Sequence, residues 1–503
     1  MRGRSQRFLA SAIILGLLIP LAGQAQAAEN PRAKPSWSMV PQAKDTNNDG
    51  VIDGDGGVPV SGALTREPAT RYKGAGNRIA QPNERLIGGA LSWYLSPKGY
   101  PVALDACSST GDEFRWKITR DGRTVRTMKW RSLTPRACSQ DLILPEAVYS
   151  MTLEVRAGSR TARKTMNARV RNILIVAMGD SYASGEGNPR NVDAWLSEGA
   201  PFRPYWDDSS CNRSVLGAPS QAALALEQES AKTSVTLVNV TCTAATVNSG
   251  ILGAQRSQGQ DSSQIEQAAA LLKGQEADIV LLSIGGNDVG FTSILQTCAL
   301  TNNCPLSRPA AGPLRSSPTV QQGVQEQTAE LGTDFERIAA CLGAESCTLK
   351  DGRAVAAIPL AKNARVMPTL YPDITRAADG QPCRYLTITP TDFAWARDTV
   401  LVPEPVRPYP YTTTQGPTVD LAMGAGSLNQ QIAATSRLPG WVPVVGTWSS
   451  SGTSPDGHGV CAGSSAWVFG LTTLSGFSNA SFHPNPTGQK VMARAIAQAA
   501  SAR

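Results

Sequence analysis

Histidine is scarce in this 503-residue chain, which contains only His458 and His483. The ten cysteines include no Cys-x-x-Cys pair, so the usual ligand sets of a structural zinc site are missing. Charged residues make up 17% and hydrophobic residues 41%, which is the balance of a globular protein rather than a disordered one. Beyond the N-terminal region, no apolar run is long enough to cross a membrane.

Residues 1–27 have the pattern of a signal peptide. Three arginines within the first seven residues precede an apolar run at 8–23, and Ala25 and Ala27 supply the small residues of a cleavage site. We expect cleavage after Ala27 or Ala28 and a secreted protein, extracellular or periplasmic. A membrane anchor is the alternative, but the run is short for a span.

The even number of cysteines fits an oxidising destination. Their spacing suggests five local disulfides, although spacing alone leaves the connectivity open. The suggested pairs are Cys107–Cys138, Cys211–Cys242, Cys298–Cys304, Cys341–Cys347 and Cys383–Cys461.

Residues 28–87 are expected to form a linker that contains a segment rich in Asp, Asn and Gly. Part of this segment follows the ligand spacing of an EF-hand calcium loop, but Gly56 stands where the bidentate Glu is needed. A weak, non-helical calcium loop and a plain linker therefore both stay open. The oxygen ligands of such a loop would be Asp45, Asn47, Asp49 and Asp53.

Short runs of alternating polar and apolar residues fill the segment 88–171. This alternation, with turn signals such as Asp121-Gly122, predicts antiparallel strands and a small β-sandwich similar to PKD or immunoglobulin-like domains. Residues 29–172 carry 23 Lys and Arg against 14 Asp and Glu, whereas 173–503 carry 21 against 26. A basic accessory domain suits an anionic cell surface or polysaccharide, and plain solubility is the alternative. No pattern supports nucleic-acid binding.

From residue 172 onward, apolar runs of strand length alternate with helical patterns. This alternation predicts an α/β domain over 172–503, a parallel sheet between helices in a three-layer α/β/α sandwich. Strands are predicted at 172–179, 234–241, 278–285, 364–371 and 441–447, and helices at 218–231, 263–273, 419–435 and 486–502.

Three segments in the α/β part carry candidate chemistry. Residues 179–187, GDSYASGEG, place Ser181 in a glycine-rich turn directly after a strand, where ligands of parallel sheets bind. An ordinary helix N-cap is the alternative for this serine. Asn287 follows another strand, and His483 lies in the segment SFHPN. A serine, an amide donor and a histidine base are the parts needed for acyl transfer through a serine ester.

These segments resemble those of the SGNH (GDSL-type) hydrolases, especially the secreted bacterial esterases and phospholipases. The resemblance implies a flavodoxin-like domain that hydrolyses lipid or other esters without a cofactor, and we expect a monomer. It implies Ser181 as nucleophile, His483 as general base, and oxyanion donors in the Asn287 amide and the Ser181 N–H. The disulfides 211–242, 298–304 and 383–461 also resemble the pattern of secreted relatives.

Two positions depart from the family. Ala480 stands where many members have the triad Asp, so we expect a main-chain carbonyl near Ala480 to orient His483. Ala244 stands where an oxyanion-hole Gly is expected, and its N–H can serve if φ stays negative. Gly250 is the second choice for that donor.

Several interpretations remain beside the leading one. Asp180 is expected to hold its loop through nearby N–H groups, Glu186 to be structural or substrate-lining, and His458 to lie in a surface loop near the site. The alternatives to a lipase or esterase are a polysaccharide O-acyl esterase, an inactive surface-binding protein and an acyltransferase.

Overall fold

The computed structural model describes residues 30–39, 99–192, 196, 204, 206–401, 427–447, 457–472 and 480–502. The predicted signal peptide, almost all of the linker and the calcium-loop residues Asp45, Asn47, Asp49 and Asp53 lie outside these ranges. In the described part of the chain, no helix is both long and apolar enough to cross a membrane.

The chain divides into two compact units. The smaller unit contains the described residues of 1–36, 105–139 and 150–166, and the larger unit contains those of 37–104, 140–149 and 167–503. The predicted domain limits of 88–171 and 172–503 remain predictions.

The smaller unit contains most of a five-stranded sheet. Its central strand β3 pairs antiparallel with β4, β5 and β7, and β8 follows β7. The register sets Trp116 opposite Leu153, and both side chains are fully buried, as the predicted period-two alternation requires. The strands are β3 (Glu113–Arg120), β4 (Arg123–Thr127), β5 (Arg131–Ser132), β7 (Ala147–Ala157) and β8 (Arg160–Val170).

A second sheet, ordered β1-β2-β6, lies mainly in the larger unit. Its strands are β1 (Ser36–Met39), β2 (Tyr100–Asp105) and β6 (Ser139–Leu144). The predicted strands of this region are thus confirmed where they are described, whereas the β-sandwich and the PKD or immunoglobulin likeness stay predictions.

The larger unit contains a parallel sheet of order β10-β9-β11-β14. In chain order this is 2-1-3-4, and the predicted flavodoxin-like order would begin in the same way. The inner strand β9 is buried along almost its whole length, which explains its unbroken apolar run. The strands are β9 (Asn172–Gly179), β10 (Ser234–Asn239), β11 (Ala277–Ser283) and β14 (Leu360–Pro368), and β12 (Ser346–Thr348) pairs with β13 (Ala354–Ala356).

The helices of the larger unit follow its strands, as predicted. They are α1 (Ser181–Ser184), α2 (Ala218–Glu229), α3 (Gln264–Leu272), α4 (Phe291–Leu300), α5 (Val320–Ala339), α6 (Pro390–Trp395), α7 (Leu428–Ala434) and α8 (Pro486–Ser501). The predicted helix 419–435 is confirmed only over α7, because 419–426 lie outside the described residues.

The prediction of a fifth strand at 441–447 is wrong, because this segment does not form a regular strand. Trp441 and Val444 make isolated parallel bridges to Val366 and Thr369 at the edge of the sheet. Pro443 lies between them and has no N–H to donate, which confines this segment to an edge.

All five suggested disulfides are present: Cys107–Cys138, Cys211–Cys242, Cys298–Cys304, Cys341–Cys347 and Cys383–Cys461. No cysteine in the described residues is free.

Candidate active site

Ser181 is the first residue of α1, directly beyond the end of β9. Gly179 has a φ of +147°, and a Cβ there would lie 2.3 Å from the Ser283 carbonyl oxygen, so only glycine fits this turn. Asp180 is the N-cap and its Oδ1 accepts the Tyr182 N–H at 3.0 Å. The alternative that Ser181 is the capping residue is therefore wrong, and its hydroxyl is left for another partner.

That partner is His483. Its Nε2 lies 2.8 Å from the Ser181 Oγ, and its Nδ1 lies 3.0 Å from the carbonyl oxygen of Ser481. Because a carbonyl only accepts, Nδ1 carries the proton and Nε2 is the unprotonated acceptor that faces the serine hydroxyl. The expected main-chain orienter is thus the carbonyl of Ser481, next to Ala480, whose own carbonyl accepts the His483 backbone N–H.

Side chains close to Ser181 in the sequence hold the segment that carries His483. The Tyr182 hydroxyl donates to the Phe482 carbonyl at 2.9 Å, and the Asn188 amide donates to the Pro484 carbonyl at 2.7 Å. These two hydrogen bonds fix the backbone of Phe482 and Pro484, the residues on either side of His483. Sequence reasoning missed both, because their partners lie about 300 positions away along the chain.

The Asn287 side chain lines the same pocket as Ser181, and its Nδ2 donates to the Ala245 carbonyl at 3.0 Å. An amide nitrogen has two hydrogens, so one remains for an oxyanion. Within the described part of the chain, the Ser181 and Ala244 backbone N–H groups have no acceptor. These three donors are the groups that sequence reasoning assigned to the oxyanion.

Ala244 differs from the expectation in its backbone. The residue is exposed. Its φ is +57°, so the expectation of a negative φ is wrong. A left-handed conformation suits the family's Gly and strains an Ala. Gly250, the second choice, is excluded as a donor because its N–H already donates to the Gly253 carbonyl at 2.9 Å.

Asp180 also anchors the loop that carries Asn287. The Tyr371 hydroxyl accepts the Gly286 N–H at 3.0 Å and donates to the Asp180 carboxylate. Burial raises the pKa of Asp180 to about 7, while the hydrogen bonds from Tyr371 and the Tyr182 N–H act in the opposite direction. Asp180 thus accepts a backbone N–H as expected, and Tyr371 is a further site residue that sequence reasoning missed.

A largely apolar pocket opens beside Ser181 and Asn287. The empty space beside these residues is about 720 Å³, a volume that includes open solvent at its mouth. Its apolar lining comes from α4, α6, the turn that follows α6, the start of α7 and two loop residues. The apolar side chains are Val289, Phe291, Ile294, Leu295, Ile374, Phe393, Ala396, Val400, Leu401 and Leu428.

His458 has a packing role. Its ring stacks on Trp467 with centroids 3.5 Å apart, and its Nδ1 lies 2.6 Å from the Ser465 carbonyl oxygen. The residue is half-buried within the described segment 457–472.

No protein-family model matches the chain. The search of curated proteins also found no significant relative. Among solved structures, the chain is similar to a carbohydrate acetylesterase from Xanthomonas citri, with 9% identity, 80% of this chain and 70% of that chain covered, and a TM-score of 0.27. It is also similar to a carbohydrate esterase whose active site has catalytic and non-catalytic binding functions, with 11% identity, 54% and 70% covered, and a TM-score of 0.19. TM-scores this low do not establish a shared fold.

Proposed function

We propose that the protein is a secreted serine ester hydrolase of the SGNH type that acts on esters with an apolar acyl chain. The observation that carries the proposal is the 2.8 Å contact between Ser181 Oγ and His483 Nε2 beside an apolar pocket. The family likeness rests on the three sequence segments and on the strand order 2-1-3-4. The five disulfides support secretion, since disulfides persist in oxidising compartments.

The proposed reaction follows from the tautomer of His483. Its unprotonated Nε2 takes the proton of Ser181 as the serine oxygen attacks the ester carbonyl carbon. The Asn287 amide and the backbone N–H groups of Ser181 and Ala244 stabilise the oxyanion. His483 then gives the proton to the leaving alcohol, and water attacks the acyl-enzyme by the same route to release the acid.

The pocket favours a lipid-type acyl chain over an acetyl group. An acetyl methyl would leave most of this apolar lining uncovered, whereas each further methylene that enters gains about 0.8 kcal/mol. That gain corresponds to roughly a fourfold increase in kcat/KM per methylene until the pocket is filled. A lipase or esterase is therefore favoured over a polysaccharide O-acetyl esterase.

A p-nitrophenyl ester series from acetate to palmitate tests this proposal. In wild type, kcat/KM should rise from acetate to medium chains, and Ser181→Ala should abolish it. Ala396→Trp narrows the pocket and should shift the optimum to shorter chains while sparing acetate. Leu300→Trp, at a position 75% exposed outside the pocket, is the matched control. A preference for acetate that Ala396→Trp does not alter would favour the polysaccharide alternative, and no ester hydrolysis at all would favour the binding protein.

A further inference from the structure

Glu186 is a buried acid that lies beside the catalytic histidine. It follows α1, is 3% exposed, and its Oε2 lies 3.7 Å from His483 Nε2. Its Oε1 accepts the Asn212 amide at 3.0 Å, and its Oε2 accepts the Thr243 hydroxyl. Sequence reasoning left this residue as structural or substrate-lining.

A disulfide builds the site that holds this carboxylate. Asn212 and Thr243 directly follow Cys211 and Cys242, which are bonded to each other. The Thr243 N–H also donates to the Cys211 carbonyl at 3.0 Å. The two donors to Glu186 are therefore fixed by one covalent cross-link between two loops.

The carboxylate has one basic neighbour. In the described residues, His483 is the basic group that forms an ion-pair contact within 4 Å of Glu186. A buried anion is costly unless a charge or hydrogen bonds compensate it. Here two neutral donors bind it permanently, and a positive charge next to it arises only when His483 is protonated.

Such a charge forms during the proposed reaction. When Nε2 takes the proton of Ser181, the ring becomes an imidazolium. A triad Asp would compensate that charge from the Nδ1 side, but there His483 meets only the neutral carbonyl of Ser481. Opposite charges 3.7 Å apart in a buried site attract strongly.

We propose that Glu186 is a positioning residue that stabilises the imidazolium form of His483 from the Nε2 side, in place of the carboxylate missing at Nδ1. It acts through charge and does not accept the proton, which stays directed at Ser181 and then the leaving group. This role rests on the proposed function, because it requires His483 to be the general base.

Two other titratable side chains, Asp180 and Tyr182, flank Ser181 in the sequence. The Tyr182 ring packs with its centroid 5.3 Å from that of His483, and burial raises the pKa of Tyr182 well above its usual range. Asp180 precedes the nucleophile, but its carboxylate is bound by Tyr371 and the Tyr182 N–H. The segment 480–485 contributes no charged side chain besides His483. Glu186 is thus the acid whose removal should change how readily His483 is protonated.

Glu186→Gln tests the role with little change of shape. Removing the negative charge makes protonation of His483 harder, so the acid limb of the kcat/KM profile should move to lower pH. The loss of transition-state stabilisation should lower kcat roughly tenfold with little change in KM. Thr243→Val is the matched control: it removes a hydrogen bond to Glu186, keeps the charge, and should leave the acid limb in place.

A second measurement does not depend on activity. Because the chain has only two histidines, both imidazoles can be followed by NMR titration, with His458 as the internal reference. In Glu186→Gln the NMR titration of the His483 imidazole should move to lower pH, while that of His458 stays unchanged. An unchanged His483 midpoint would overturn the role of Glu186. If the wild-type protein shows no esterase activity, the proposed function is overturned instead.

Discussion

The hydroxyl of Tyr371 offers a quantitative test of how the site is held together. It accepts the buried Gly286 N–H and donates to Oδ2 of Asp180, so Tyr371→Phe removes both of these hydrogen bonds, while Oδ1 of Asp180 keeps the Tyr182 N–H. The ring should stay in place, because it packs edge-on against Tyr182 with centroids 5.2 Å apart. The substitution therefore removes two hydrogen bonds and little else.

The cost of Tyr371→Phe should depend on pH. The folded-state pKa of Asp180, about 7, lies above the ordinary value of 3.8. Asp180 thus contributes stability that is fully present below about pH 4 and lost as the pH rises through about 7. The Tyr371 hydrogen bond lowers this pKa, so without it the pKa rises further. Above pH 7, each unit of that rise adds about 1.4 kcal/mol to the loss of stability in the variant.

We therefore expect Tyr371→Phe to lower the free energy of unfolding by about 2 kcal/mol at pH 5 and by about 4 kcal/mol at pH 8.5. Urea unfolding followed by far-UV circular dichroism, with the disulfides intact, measures both values. Tyr182→Phe is the matched control, because its hydroxyl donates to the neutral carbonyl of Phe482 and its loss should cost the same at both pH values. Equal losses for Tyr371→Phe at pH 5 and pH 8.5 would refute the reasoning.

Two further substitutions test the oxyanion site. Asn287→Ala should lower kcat about a hundredfold to a thousandfold without changing the circular dichroism spectrum, and retained activity would remove Asn287 from the site. Ala244→Gly should relieve the left-handed backbone and raise the free energy of unfolding by up to about 1 kcal/mol while activity is kept, as measured by urea unfolding and ester hydrolysis. A lower free energy of unfolding in Ala244→Gly would contradict the proposed backbone strain at Ala244.

The runs of apolar residues predicted the interior strand β9 correctly, but they did not predict how the segment 441–447 pairs. The apolar run of β9 is long and unbroken because the strand lies inside a parallel sheet, so its limits at 172 and 179 were predicted correctly. The segment 441–447 has a similar run, but Pro443 and its place at the sheet edge restrict it to isolated bridges. An edge strand and an interior strand differ in their neighbouring strands, and a run of apolar residues carries no information about those neighbours.

Sequence reasoning named Ser181 and His483, which the fold brings into contact, but it missed the distant residues that hold the histidine segment. Ser181 and His483 lie together as expected. Tyr182 and Asn188 donate hydrogen bonds to backbone carbonyls of the segment that carries His483. These residues come together only in the folded chain. The left-handed backbone of Ala244 was likewise not visible, since nothing in its sequence neighbourhood requires a positive φ.

The most direct test of the central claim is mass spectrometry of the protein after treatment with a fluorophosphonate, a reagent that labels activated serines. The Ser181 hydroxyl lies 2.8 Å from Nε2 of His483, the proposed general base. We therefore predict a single adduct on the peptide that contains Ser181, and no labelling of Ser181→Ala or His483→Ala. An unlabelled wild-type protein, or an adduct on another residue that persists in Ser181→Ala, would contradict the account.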